Sequence, residues 1–129
     1  IHLTQAAMQS NKNSVMWELA EGKLENVNGR TAFDAMRKND EAGRAVVELY
    51  IRYVACGLIN TINTFQPEII CIGGGISKEG DNLLIPIQKI VEAERFSKNV
   101  ENQTQVKIAK LGNDAGIIGA AFIFRLYQH

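Results

Sequence analysis

Pro67-Glu68-Ile69-Ile70-Cys71-Ile72-Gly73-Gly74-Gly75-Ile76-Ser77 decides the fold. Glu68 to Ile72 is a short, continuous, β-branched run bounded by a proline and three glycines, the pattern of a strand buried on both faces. Asp81 then stands where it can cap a helix whose apolar face is Leu83, Leu84, Ile87, Ile90 and Val91, with Pro86 in its first turns able to shift the start. A second strand is expected over 105–110, where Val106 and Ile108 alternate with polar residues. Strand, helix and strand in that order imply a parallel pair joined by a crossover. Gly112-Asn113-Asp114 leads into a last helix over 115–127, capped by Asn113 or Asp114.

Upstream, the chain reads as helical. Between Asp40 and Phe65, apolar residues fall at Ala42, Ala45, Val46, Leu49, Tyr50, Tyr53, Val54, Leu58, Ile62 and Phe65, spacings that predict one long helix. Asp40 is its natural N-cap, and Pro67 stops it. Leu3, Ala6 and Ala7 share one face of a first helix, and a short second helix over 14–21 should end at Gly22. Asn28-Gly29 signals a turn, and Thr31 is placed to cap a short helix containing Phe33 and Met36. The expected order is α, α, α, β, α, β, α.

With 129 residues, 46% hydrophobic and 22% charged, the chain has the size of one globular domain. Fourteen basic residues balance fourteen acidic ones, which argues against a dedicated nucleic-acid or anionic-membrane binder while leaving room for a small anionic ligand. Cys56 and Cys71 are too few for a disulfide scaffold or a structural zinc site and read as small buried hydrophobes, so no zinc is expected here. No apolar run was expected to reach membrane-spanning length, and the chain reads as soluble and cytoplasmic. It opens on Ile1 inside a helical pattern, and two parallel strands make a poor sheet alone. Both features suggest a piece of something longer.

Chemistry concentrates at Gly73, Gly74 and Gly75. Ligands of parallel sheets bind beyond the carboxyl ends of the strands, and glycine there removes the Cβ that would block a phosphate or a purine ring. The same three glycines also fit a tight strand-to-helix turn. They form neither a G-x-x-x-x-G-K-[ST] loop nor a G-x-G-x-x-G fingerprint. Gly116, Gly119, Ala120 and Ala121 give the last helix a smooth side that a neighbouring helix or a nucleotide could approach. Ser77 reads as a turn residue with no histidine nearby. Asp34 and Asp40 around Arg37 and Lys38 read as a solvated face, and Trp17 as core or interface. His2 and His129 sit at the two ends. No acid–base pair, nucleophile with a base or metal cluster stands out, so no catalytic residue is assigned.

The stretch from Pro67 to Ser77, followed by Leu111-Gly112-Asn113-Asp114-Ala115-Gly116-Ile117-Ile118-Gly119-Ala120-Ala121, resembles the C-terminal part of the ROK family of bacterial sugar kinases and sugar-responsive repressors. Asn60-Thr61-Ile62-Asn63-Thr64-Phe65 is similar to the end of the family's helix before the glycine motif. The resemblance implies a helix-rich α/β lobe of an actin-like, ribonuclease-H-like ATPase fold, with Gly73, Gly74 and Gly75 contacting the nucleotide. It implies a glucokinase using ATP and Mg2+ on a hexose, acting as a homo-oligomer, with the catalytic base, sugar-binding and zinc motifs all upstream. The alternative is the effector-binding or dimerisation lobe of a repressor. On this reading residues 1–129 form one domain, a C-terminal lobe inactive by itself.

Overall fold

A computed structural model describes residues 1–123 except Ser97, Val100 and Asn113. The expected continuation of the last helix beyond Ile123, the Asn113 cap and His129 therefore lie outside the described residues. The elements run α1 (His2–Ser10), α2 (Met16–Leu19), α3 (Thr31–Arg37), α4 (Glu41–Phe65), β1 (Ile69–Ile72), α5 (Asp81–Glu94), β2 (Gln105–Ile108) and α6 (Asp114–Ile123). Two 3-10 turns, Leu24–Asn26 and Gly75–Glu79, complete the order.

The long helix α4 is the axis of the molecule, at about 1.5 Å per residue some 37 Å long. Asp40 caps it, accepting from the Gly43 N–H at 2.6 Å, and Gln66 closes it in the left-handed region at φ 43° just before Pro67. Its buried side matches the stripe that the sequence suggests only in part: Val46 and Ile62 are buried, and Ala42, Tyr50, Val54 and Leu58 pack against the core. Gly43, Val46, Val47, Ile51, Ala55, Ile59 and Ile62 are buried, whereas Ala45, Leu49, Tyr53 and Phe65 are exposed. Two apolar stripes overlap on this helix, and close approach selects between them. A Cβ on Gly43 would stand 2.7 Å from the Ala35 Cβ, so α3 crosses α4 where the glycine leaves room. By length and composition α4 could span a membrane, against the expectation that no stretch would. It packs instead as a core helix, against α1, α3 and α5.

Asp40 does more than cap. Its other oxygen accepts from the Val15 N–H at 2.9 Å, and Ser14 Oγ donates at 3.0 Å to the oxygen that caps α4, so one carboxylate ties α2 to α4. The reading of Asp40 as part of a solvated face is thus wrong. Burial alone would raise its pKa, but these hydrogen bonds outweigh burial and hold the carboxyl below its ordinary 3.8. A depressed carboxylate contributes stability that is present above the ordinary value and lost as pH falls through the folded one. Asp40→Ala is therefore expected to cost about 1–2 kcal/mol at neutral pH. It should also flatten the fall in melting temperature between about pH 5 and about pH 2. Thermal unfolding followed by circular dichroism across that range checks both.

The cap of α3 also differs from expectation. Thr31 is the first helical residue; its Oγ1 accepts from the Asn28 N–H at 3.1 Å, while Asn28 Oδ1 accepts from the Arg30 N–H at 2.9 Å. These bonds brace the turn that leads into α3, whose N-cap is Arg30, without a side-chain cap. Asp81 similarly begins α5 without capping it, because the Gly80 carbonyl accepts from Leu83 and Leu84. Pro86 lies inside α5 and does not displace its start. Trp17 is half-buried and donates to the Met8 carbonyl at 2.9 Å.

β1 and β2 pair in parallel, Ile69 opposite Gln105 through Ile72 opposite Ile108, with α5 as the crossover. The sheet is covered on one face only. Ile70, Ile72, Val106 and Ile108 turn toward the core, while Ile69 and Cys71 are exposed, so the strand is not buried on both faces as its composition suggests. Period-two alternation in a sheet covered by helices on one side accounts for this. Cys56 is likewise exposed, on the open side of α4, so neither cysteine is the buried hydrophobe expected.

Candidate functional site

The three glycines follow β1 but play different parts. Gly73 is the first residue after the strand, and a Cβ there would meet only the Ala109 Cβ at 3.6 Å, an ordinary contact. Gly74 makes the turn, with φ 80° and ψ −170°, a conformation that belongs to glycine almost alone. Gly75 begins the 3-10 turn that runs to Glu79. Ser77 is buried in that turn and donates from Oγ to the Gly74 carbonyl at 2.7 Å, the structural role expected of it.

Gly75, Ile76 and Lys78 form one wall of a cleft of about 430 Å³, and Asn28, Gly29, Arg30 and Tyr50 complete its lining. Gly73 and Gly74 shape the turn behind this wall without lining the cleft themselves. Tyr50 is half-buried and meets Phe33 edge to face at 6.3 Å between ring centroids. The cleft thus presents two exposed cations, an amide, an aromatic wall and bare backbone at Gly29 and Gly75. Such a set suits an anionic, partly aromatic ligand. The sequence singles out the glycine turn, of which Gly75 lines this cleft, and gives no sign of the opposite wall. Asn28-Gly29 was legible as a turn, but nothing local tells that it faces residues 75–78. Larger clefts, of about 620, 580 and 510 Å³, lie near Pro67, between α5 and β2, and beside Asp40, away from the glycines.

No carboxylate lines the cleft. Among the described residues no three His, Cys, Asp or Glu side chains come together as a metal site. The lining therefore does not fit direct coordination of Mg2+, a cation that takes oxygen ligands. The smooth side of α6 meets nothing either. A Cβ at Gly116 or Gly119 would have open space within 4 Å, so the close approach expected there is not made in this chain.

The sequence pattern of the ROK family matches residues 5–126. The chain belongs to the ROK family. The ROK relatives it is similar to include the glucokinase of Halalkalibacterium halodurans, 36% identical over 100 residues, which cover 78% of this chain and 30% of that protein. The glucokinase of Thermotoga maritima is 32% identical over 113 residues, 88% of this chain and 35% of that one. A ROK family glucokinase from Streptomyces griseus, solved in complex with glucose and AMPPNP, superposes with a TM-score of 0.83 at 25% identity, covering 97% of this chain and 41% of its own. The fold is thus that of the actin-like ATPases. The chain spans about a third of the length of the curated ROK relatives it matches.

Proposed function

We propose that this chain is the C-terminal, nucleotide-binding lobe of a two-lobed, cytoplasmic, ATP-dependent sugar kinase of the glucokinase type, working as a homo-oligomer. The observation that carries the reading is the cleft between the glycine turn and the start of α3, with Arg30 and Lys78 on its walls, in a member of a family that includes glucokinases. Arg30 and Lys78 supply positive charge for a polyphosphate. The bare backbone at Gly75 admits a close approach, and Tyr50, braced by Phe33, offers an apolar surface to a base.

The reaction moves the γ-phosphoryl group of ATP to a hexose hydroxyl. A base takes the hydroxyl proton, the oxygen forms the new bond to phosphorus, and ADP leaves with the electrons of the broken bond. This lobe orients the nucleotide, while the base and the sugar contacts belong to upstream sequence. Mg2+ would neutralise charge on the phosphate oxygens, held by those oxygens and not by carboxylates of this cleft.

Photolabelling with 8-azido-ATP tests the reading whatever the oligomeric state of the chain. Label is expected in peptides containing Asn28 to Arg30 or Gly75 to Lys78, and excess ATP should protect them. Label confined to other peptides, or no protection, overturns the assignment.

A further inference from the structure

The segment after the glycines carries a feature that nucleotide contact does not use. Glu79 ends the 3-10 turn with its side chain 2% exposed, and its carboxylate pairs with Nη2 of Arg37, the last residue of α3. Arg37 also pairs through Nη1 with Asp34, one turn earlier on the same helix. Burying a carboxylate this deeply costs free energy that a paired cation offsets. Nothing in Lys78-Glu79-Gly80 signals that burial, since the partner lies 42 residues away.

The placement of the pair gives it a task. The 3-10 turn hangs between Gly74 at φ 80° and Gly80 at φ 56°, two positions where the backbone bends in ways closed to other residues. Bonds from Ser77 to the Gly74 carbonyl hold the turn's own shape but do not fix its place against α3. The Arg37–Glu79 pair does fix it. The cleft walls are these same two segments, with Asn28 to Arg30 leading into α3 on one side and Gly75 to Lys78 in the turn on the other. The pair joins them at one end, and they part at the other to make the cleft.

We propose that Arg37 and Glu79 are positioning residues for the nucleotide: their ion pair sets the separation of the cleft walls and so governs affinity without touching the ligand. The inference rests on the nucleotide reading above. Phosphate and base contacts must be made from both walls at once, and small displacements of such contacts carry large costs.

The test measures binding of fluorescent mant-ADP to the full chain and its Arg37→Gln, Arg37→Lys and Glu79→Gln variants. The Arg37→Gln, Glu79→Gln double variant and the thermal unfolding of each complete the set. Glu79→Gln keeps size and shape, so it remains readable if the Arg37 variants fold poorly. Arg37→Gln and Glu79→Gln should each weaken mant-ADP binding about tenfold, the double variant no more than the worse single, as expected for residues acting as one unit. Arg37→Lys, which keeps the charge, should recover part of the loss. Unchanged affinity with a lowered melting temperature would make the pair structural only and overturn the inference while leaving the nucleotide reading intact. Fully additive losses would overturn it as well. Failure of the unsubstituted chain to bind mant-ADP would remove both readings together.

Discussion

Gly74→Val in the full two-lobed protein is expected to raise the apparent KM for ATP by at least tenfold while leaving that for the hexose within about twofold. Gly74 holds φ 80° and ψ −170°, a conformation that costs a residue with a Cβ about 1–3 kcal/mol. A β-branched side chain adds its own restriction on the backbone. No atom lies within 4 Å of where the Cβ would stand, so the penalty is one of backbone conformation and not of collision within this chain. The backbone is expected to relax by rotating the turn, which carries Gly75, Ile76 and Lys78 away from the opposite wall. Gly22→Val is the control. Gly22 has φ 74° and equally open surroundings but lies outside the cleft. It should lose stability by a similar amount and keep its KM for ATP. Steady-state kinetics with each substrate varied in turn decides the matter, and equal effects on both substrates would reduce Gly74 to a structural turn.

The elements that carry the site were largely legible because their signals are local. The run from Ile69 to Gly75 announces a strand and its exit, Asp40 and Pro67 bracket the long helix, and the alternation at Val106 and Ile108 marks the second strand. What escaped the sequence depends on residues far apart along the chain. Gly43 selects the buried side of α4 because Ala35 comes within 2.7 Å of where its Cβ would be. Apolar spacing alone does not rank two overlapping stripes. Glu79 reads as a solvated charge until Arg37 is placed beside it. Asn28 reads as a turn residue, and only its hydrogen bonds with Arg30 and Thr31 show that it braces the start of a cleft wall. For β1, composition suggested two covered faces, yet exposure depends on how many layers the chain itself supplies. Here it supplies one.

That open face carries the last expectation: the 129 residues purified alone should self-associate and should not phosphorylate glucose. Among the described residues the sheet has two strands, so β1 offers a free edge and an uncovered face together. Ile69 on that face is 50% exposed, and Phe65, just before the strand, is 76% exposed. Helix α6 adds Ile117, Phe122 and Ile123, each more than half exposed. Exposed large apolar groups together with an unpaired strand edge favour association with another chain, through backbone hydrogen bonds along the edge and apolar burial. Burying a side chain of this size contributes about 1.5–3 kcal/mol, and in a self-association each copy contributes its own. Catalysis is expected to fail for a separate reason, since phosphoryl transfer needs base, metal and phosphate contacts in one geometry, and the proposed nucleotide cleft supplies phosphate contacts without a carboxylate base. Light scattering after gel filtration should find species larger than the monomer, and Ile69→Lys should shift the population toward it by placing a charge on the face. A stable monomer at about 50 μM, or glucose phosphorylation by the isolated chain above background, would overturn this expectation, because the first requires the apolar face to tolerate water and the second a base that the cleft does not hold.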